Sequence, residues 1–391
     1  MRNNVGYAPV GNSKKPGFNY QMCILSVIGI IFVMLGHLKT DMTSLGTFYG
    51  WFPYYSFHMP LFLFISGYFY KESNEQGFPV SFLKFLKKKV LSLLVPFYVI
   101  NGIFLLLQTL LVNYGYYLGE TFSLKVWLLH PWIYPEPPTL AHPTWFLMAL
   151  FLAEIYYILF RKLIRIIVRK DIAAEIVITI LSLLLSMAAI YCKYTADPSP
   201  TAVLYLRSVF IMFFLQAGHM YKKYLEKIDN IPNKILLPVL FIIQLAIILY
   251  TENSPLYYSL VTLNWYGRVG IVSIIASLSG IAFWLRISRI LASIPARSRL
   301  VMFIGDNTKY IMSFHLFVYF LVNLAFNHLR SIPGAGYYLS AFDEEKFRTS
   351  VYYVCNDNPR TILIYFAAGM AVSLLAAKVI SLVKSGIRHG R

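Results

Sequence analysis

Phe57-His58-Met59-Pro60-Leu61-Phe62-Leu63-Phe64-Ile65-Ser66-Gly67-Tyr68 places an imidazole and a proline at the rim of an apolar run, about twenty residues after another histidine, His37. The run is one of many. Of the 391 residues, 58% are hydrophobic and 13% charged, with mean hydropathy +0.60, which excludes an ordinary water-soluble domain. In such surroundings a titratable side chain is a functional candidate, because an unpaired polar group within a membrane costs several kcal/mol.

Working outward, apolar runs recur at close to the roughly 20 residues needed to cross a bilayer. They predict ten spans, over residues 20–39, 54–71, 90–113, 143–161, 174–192, 202–220, 235–252, 267–285, 307–328 and 361–383. The expected fold is therefore an all-α polytopic membrane helix bundle. A polar N-terminal segment (1–19) precedes the membrane domain (20–385), and a short tail (386–391) follows it. No cleavable signal peptide is evident, so the first span is expected to act as its own targeting signal.

Lys and Arg alternate with the spans. Lys84 and Lys87 to Lys89, the Arg161–Lys170 group, the Lys222–Lys234 group, the Arg286–Arg299 group and the C-terminal group with Lys384 fall on one side. By the positive-inside rule that side is cytoplasmic, with both termini inside. The net charge of +18 then needs no nucleic acid, and no nucleic-acid module accompanies it. Positive-inside bias and attraction to anionic membrane lipids account for it. A phosphorylated cytosolic ligand at some of these clusters is the sharper reading.

The remaining polar groups carry the chemistry. His37, His58 and His142 belong to the outer half, and His315 lies about eight residues into the ninth span. Neutral imidazole is a general base near pH 7 and its cation a general acid, the requirement for attack of a hydroxyl on an acyl carbonyl. Trp145, Thr144 and Ser66 are candidate donors to the resulting oxyanion. Glu154, about ten residues into the fourth span, must pair with a cation or stay protonated, and is a candidate orienting group. For each histidine the plainer alternative is a packed, carbonyl-bonded core residue. The Tyr-, Trp- and Pro-rich outer loop 114–142 reads as an interfacial aromatic belt or as a stacking platform for a sugar ring. Residues 286–304 read as a basic amphipathic surface segment, and Gly305-Asp306-Asn307-Thr308 as a helix stop followed by a cap.

Competing chemistries lack their signatures. No metal-ligand spacing, GxSxG elbow or phosphate-cradling loop occurs, so no metal is expected. Cys192 and Cys355 both fall on the outer side, where a disulfide is possible, or they are packed thiols.

At these residues the chain resembles acyltransferase family 3, in the branch with fucose 4-O-acetylase-like enzymes. Val33-Met34-Leu35-Gly36-His37 is similar to the end of the family's first span, and Phe57 to Tyr68 to its second-span signature. Lys87-Lys88-Lys89 with Leu93-Leu94-Val95-Pro96-Phe97 resembles its basic run and third span. Trp145-Phe146-Leu147 with Leu150-Phe151 resembles its fourth, and Gly305 to Thr308 leading to His315 resembles a late Gly-x-x-Ser…His segment. The order holds from about residue 20 to 383.

The resemblance implies a membrane-bound O-acyltransferase, with acetyl-CoA as co-substrate. A cytosolic acyl group would pass to a hydroxyl of a carbohydrate or glycolipid acceptor, in a bacterial plasma membrane. His37 is then the expected base, with His58 and His315 assisting and Trp145 shaping the acceptor pocket. Lys87, Lys88, Lys89, Arg286 and Arg289 are expected to hold the CoA phosphates. Two positions depart from the pattern: Ser26 and Ser92 stand where the family usually has basic residues. They keep open a non-enzymatic sensor, accessory subunit or carrier on the same scaffold.

Overall fold

The computed structural model describes residues 18–38, 51–72, 78–252, 256–266, 270–332, 342–355 and 359–389. Helices α1 (Tyr20–Gly36) and α2 (His58–Tyr68) are followed by α3 (Phe78–Lys89), α4 (Val95–Asn113), α5 (Leu124–Leu128) and α6 (Trp145–Ile167). Then come α7 (Asp171–Ala196), α8 (Pro200–Met220) and α9 (Asn233–Tyr250), and a hairpin of β1 (Tyr257–Ser259) and β2 (Asn264–Tyr266). The chain closes with α10 (Ile271–Ala292), α11 (Arg299–Asp306), α12 (Thr308–Leu329), α13 (Glu344–Thr349) and α14 (Pro359–His389). This is an all-α polytopic bundle; among the described residues, seven helices are long and apolar enough to cross a membrane, against the ten spans expected.

Each expected span falls on a helix, though not always at full length. The predicted crossing at 54–71 is α-helical only over α2, preceded by a 3₁₀ turn at Tyr54–Ser56. Pro60 explains the late start. Proline is tolerated in a first helical turn, where its missing N–H would have no partner. α6 carries Glu154, Arg161, Lys162 and Arg165 within its length. The basic run of α3 continues into α4 through a π turn at Val90–Leu94, ahead of Pro96.

α2 is buried on nearly all sides and packs on α8 backbone to backbone. A Cβ at Gly67 would sit 1.9 Å from the Leu215 carbonyl oxygen, and one at Gly218 1.9 Å from that of Phe64. Small residues on both faces are what membrane helices need for so close a crossing. The glycine of the Ser66-Gly67-Tyr68 segment is thus a packing requirement.

The bundle's basic end is stitched by ions. Arg161 and Glu175, both fully buried, meet through two bonds of 2.8 and 2.7 Å, with Gln216 between them. Glu72 reaches Arg161 and Arg165, and Lys223 reaches Asp171. Lys222 bonds Tyr68, while Arg286 pairs with Asp229, which also accepts from Tyr221. Three of the predicted cytoplasmic clusters therefore share one end. A carboxylate and guanidinium so buried are tolerated because each satisfies the other.

Several expectations are corrected. The helix break expected at Gly305–Thr308 falls one residue later than Gly305: α11 ends at Asp306 and α12 starts at Thr308, and a Cβ on Gly305 would meet Cys23 Sγ. Asn307 precedes α12 without capping it, and its amide instead donates back to Phe303. The segment 286–304 divides between the end of α10 and α11. In the outer loop, the Trp127 and Trp132 indoles donate to Tyr98, and Tyr134 stacks on His130 at 4.0 Å. These three rings pack against the protein itself, while Tyr114 and Tyr117 of the same loop stay exposed. Cys192 is exposed on α7 and Cys355 is buried, both as free thiols, so they do not pair. Burial raises the Cys355 thiol above its usual range.

Candidate active site

Two cavities open along α1. One, of about 460 Å³, is lined by His37, His58, His142, Trp145, Tyr352 and the hairpin residues Tyr258 to Val261. The other, of about 570 Å³, is lined by Ser26, Ser66, Lys71, Lys88, Lys89, Glu154, Thr308 and Lys309. Met312 borders both.

In the histidine cavity each ring is held differently. His37 follows the last turn of α1, its backbone N–H on the Met34 carbonyl. Gly36 beside it makes room for the Tyr55 ring, which a Cβ there would approach at 2.7 Å, and Tyr55 donates to the Gly36 carbonyl. The His37 side chain makes no hydrogen bond among the described residues. His58 opens α2, and its Nδ1 donates to the Tyr54 carbonyl at 2.6 Å. His315 lies within α12, fully buried, with Nδ1 on the Ile311 carbonyl at 2.9 Å. A carbonyl only accepts, so in the neutral rings of His58 and His315 the lone pair resides on Nε2. The Nε2 of His315 has no partner among the described residues, and the ring centroid stands 5.2 Å from that of His37.

Tyr352, from the segment after α13, stands 5.4 Å from His37 and 6.5 Å from His142 by ring centroids. Burial pushes its phenol up to about 12, so it remains a protonated donor. Fully buried Arg207 on α8 supports the far wall. Its Nη1 donates to the carbonyls of Pro135 and Val261, both at 2.9 Å, and its guanidinium lies 5.1 Å from the Trp145 ring. It thereby ties the loop after α5 and the hairpin to the helix behind Trp145.

The structure brings His37, His58, His315 and Trp145 together, as the sequence reading expects, and adds His142, Tyr352 and Arg207. The other assignments separate. Glu154 belongs to the lysine cavity, where Lys89 Nζ approaches Oε1 at 2.6 Å and Ser66 donates to the same oxygen at 2.9 Å. Neither Glu154 nor Ser66 meets a histidine. Thr144 is occupied with Ala141 and Asn101. Lys88 and Lys89 line the lysine cavity but Lys87 does not, and Arg286 and Arg289 are held by Asp229. Among the described residues, no group of three or more His, Cys, Asp or Glu is arranged to hold a metal.

The Lys89–Glu154 pair answers one of the two departures. Ser26 lines this same cavity, so a cation missing from α1 leaves Glu154 to the α3 lysine. Lys89→Ala, by stranding a carboxylate only 9% exposed, is expected to cost about 1–3 kcal/mol. Lys89→Ala with Glu154→Gln is expected to recover most of it. Thermal melts of the purified variants check this, and equal melting of the single and double variants would contradict it.

The acyltransferase family 3 model, an acyltransferase domain, matches residues 23–378. The chain belongs to acyltransferase family 3. No curated protein and no solved structure shows a match. The family match runs from the first turn of α1 into α14 and takes in both cavities. As an acyltransferase-3 protein with seven long apolar helices, this is a multi-pass membrane protein of acyltransferase type.

Proposed function

We propose that this acyltransferase moves an acyl group, acetyl in the simplest case, from cytosolic acyl-CoA to a hydroxyl of a carbohydrate or glycolipid. The observation that carries this reading is the pairing of a lysine-lined cavity with a histidine-lined one in a single bundle. The four lysines 71, 88, 89 and 309 outnumber the single carboxylate, Glu154, so the first cavity favours an anion such as the CoA phosphates. The second offers imidazole to a hydroxyl.

In this mechanism the acceptor hydroxyl loses its proton to His37 as its oxygen attacks the acyl carbonyl. The oxyanion accepts hydrogen bonds from the Tyr352 phenol and the Trp145 indole, which make none among the described residues. The tetrahedral centre then collapses, the C–S bond breaks, and the thiolate leaves with the proton returned through imidazole. His315, its Nε2 unpartnered beside His37, steadies the charged ring. His58 assists from the same cavity wall, its Nε2 lone pair available to the acceptor. The membrane in question is a bacterial plasma membrane, with the lysine cavity on its cytoplasmic side.

Donor binding is tested by calorimetric titration of the purified protein with acetyl-CoA and with acetyl-pantetheine, which lacks the nucleotide phosphates. Acetyl-CoA is expected to bind at least ~10-fold more tightly, since a single hydrogen-bonded phosphate contact is worth more than 1.4 kcal/mol. Lys88→Glu with Lys309→Glu should abolish the difference. Equal affinity for the two ligands in the unmutated protein would remove the donor assignment.

A further inference from the structure

The two cavities approach within one helical turn. On α1, Ile30 lines the lysine cavity and Val33 the histidine cavity; on α2 the change falls between Phe62 and Pro60. Three residues of helix rise ~4.5 Å, so only a thin layer separates the spaces. Met312, buried at 5% exposure, is the only described residue that borders both. It also sits at the middle of a functional row on α12. Lys309, Met312 and His315 recur every three residues and so share one side of the helix. Lys309 lines the lysine cavity, and His315 backs His37 in the other.

We propose that Met312 is the partition through which the acyl chain reaches the acceptor, and the residue that limits acyl-chain length. The proposal rests on the donor and acceptor assignment above. The bonding change is unaltered: the acceptor oxygen gains the acyl carbon, the thioester C–S bond breaks, and the hydroxyl proton ends on the CoA thiol. What Met312 adds is selection. A thioether on an unbranched, flexible stem can swing aside for a short acyl group, whereas a branched or aromatic side chain in a close-packed layer cannot. A longer acyl chain needs volume at the layer itself, which Met312 fills.

The test offers labelled acetyl-, butyryl- and hexanoyl-CoA to membranes containing the full-length protein, and counts label entering the membrane-glycan fraction. Met312→Ala is expected to raise the butyryl-to-acetyl ratio ~10-fold or more, the scale on which pockets discriminate added methylenes. Met312→Trp should lower acetyl transfer by ~10²-fold, the cost of misplacing the reacting group, with acetyl-CoA affinity preserved. Affinity measured by calorimetry confirms that both variants are folded. An unmoved ratio in a Met312→Ala protein that binds acetyl-CoA overturns the partition while leaving the acyltransferase reading intact. Absence of transfer from all three donors by the unmutated protein overturns that reading, and the partition with it.

Discussion

Replacing His37 by alanine is expected to cut transfer of labelled acetyl from acetyl-CoA by about 10²–10⁴-fold, the usual worth of a general base. The protein should still accumulate in the membrane at its normal level. His37 stands just past the last turn of α1, held by its backbone, and its ring makes no hydrogen bond among the described residues. Its neighbours are the rings of His315 and Tyr352, at 5.2 and 5.4 Å. Deletion therefore removes chemistry and little packing. His37→Gln keeps polarity and size but not basicity, and should fail equally. The same substitution is expected to leave acetyl-CoA affinity unchanged, because the lysines proposed to bind the donor line the other cavity. Unchanged transfer in a normally inserted His37→Ala protein would show that another group takes the proton.

Gly67→Ala is the second large effect, and it falls on folding. The added Cβ would lie 1.9 Å from the Leu215 carbonyl oxygen, a backbone atom that no rotamer change can move. α2 and α8 would have to part. Overpacking usually costs 1–3 kcal/mol, and a clash between two backbones belongs at or above ~3 kcal/mol. Gly218→Ala presents the mirror contact, 1.9 Å from the Phe64 carbonyl, and should be as damaging. Gly102→Ala is the control. The nearest neighbours of its Cβ would be atoms of the Trp127 indole, at 2.9 Å, so a side chain rather than a backbone has to shift and the cost is smaller. Melting curves in detergent should rank Gly102→Ala well above the other two. A Gly67→Ala protein that melts with the unmutated one would refute the close α2–α8 crossing. Since α2 begins at His58, loosening it also disturbs the histidine cavity.

Much of this was legible in the sequence because membrane solvation writes a strong periodic signal. Apolar runs placed a helix at each expected span, seven of the described helices being long and apolar enough to cross a membrane, and Lys and Arg clusters grouped the ends that Arg161, Glu175, Lys223 and Arg286 now join. His37, His58 and His315 stood out because imidazole is costly in such runs. Arg207 gave the same signal, a lone cation in an apolar helix, and passed unread. The partner of Glu154 was open: charge demanded a cation, but only packing decides that Lys89 on α3 supplies it. Tyr352 and the hairpin carried no local mark at all. They reach His37 and His142 from hundreds of residues away along the chain, through contacts that no periodicity encodes. Met312 was silent for the same reason; its position between two cavities is a property of the assembled bundle. The missing cation at Ser26 was visible, but its meaning was not until Lys89 was seen to hold Glu154.

Acyl transfer onto a surface glycan is read by mass spectrometry of cell-envelope glycans. Glycans from cells with the protein, without it, and with His37→Ala are compared. One glycan is expected to gain a single acyl mass only in cells carrying the unmutated protein. Identical glycan masses in all three would contradict it.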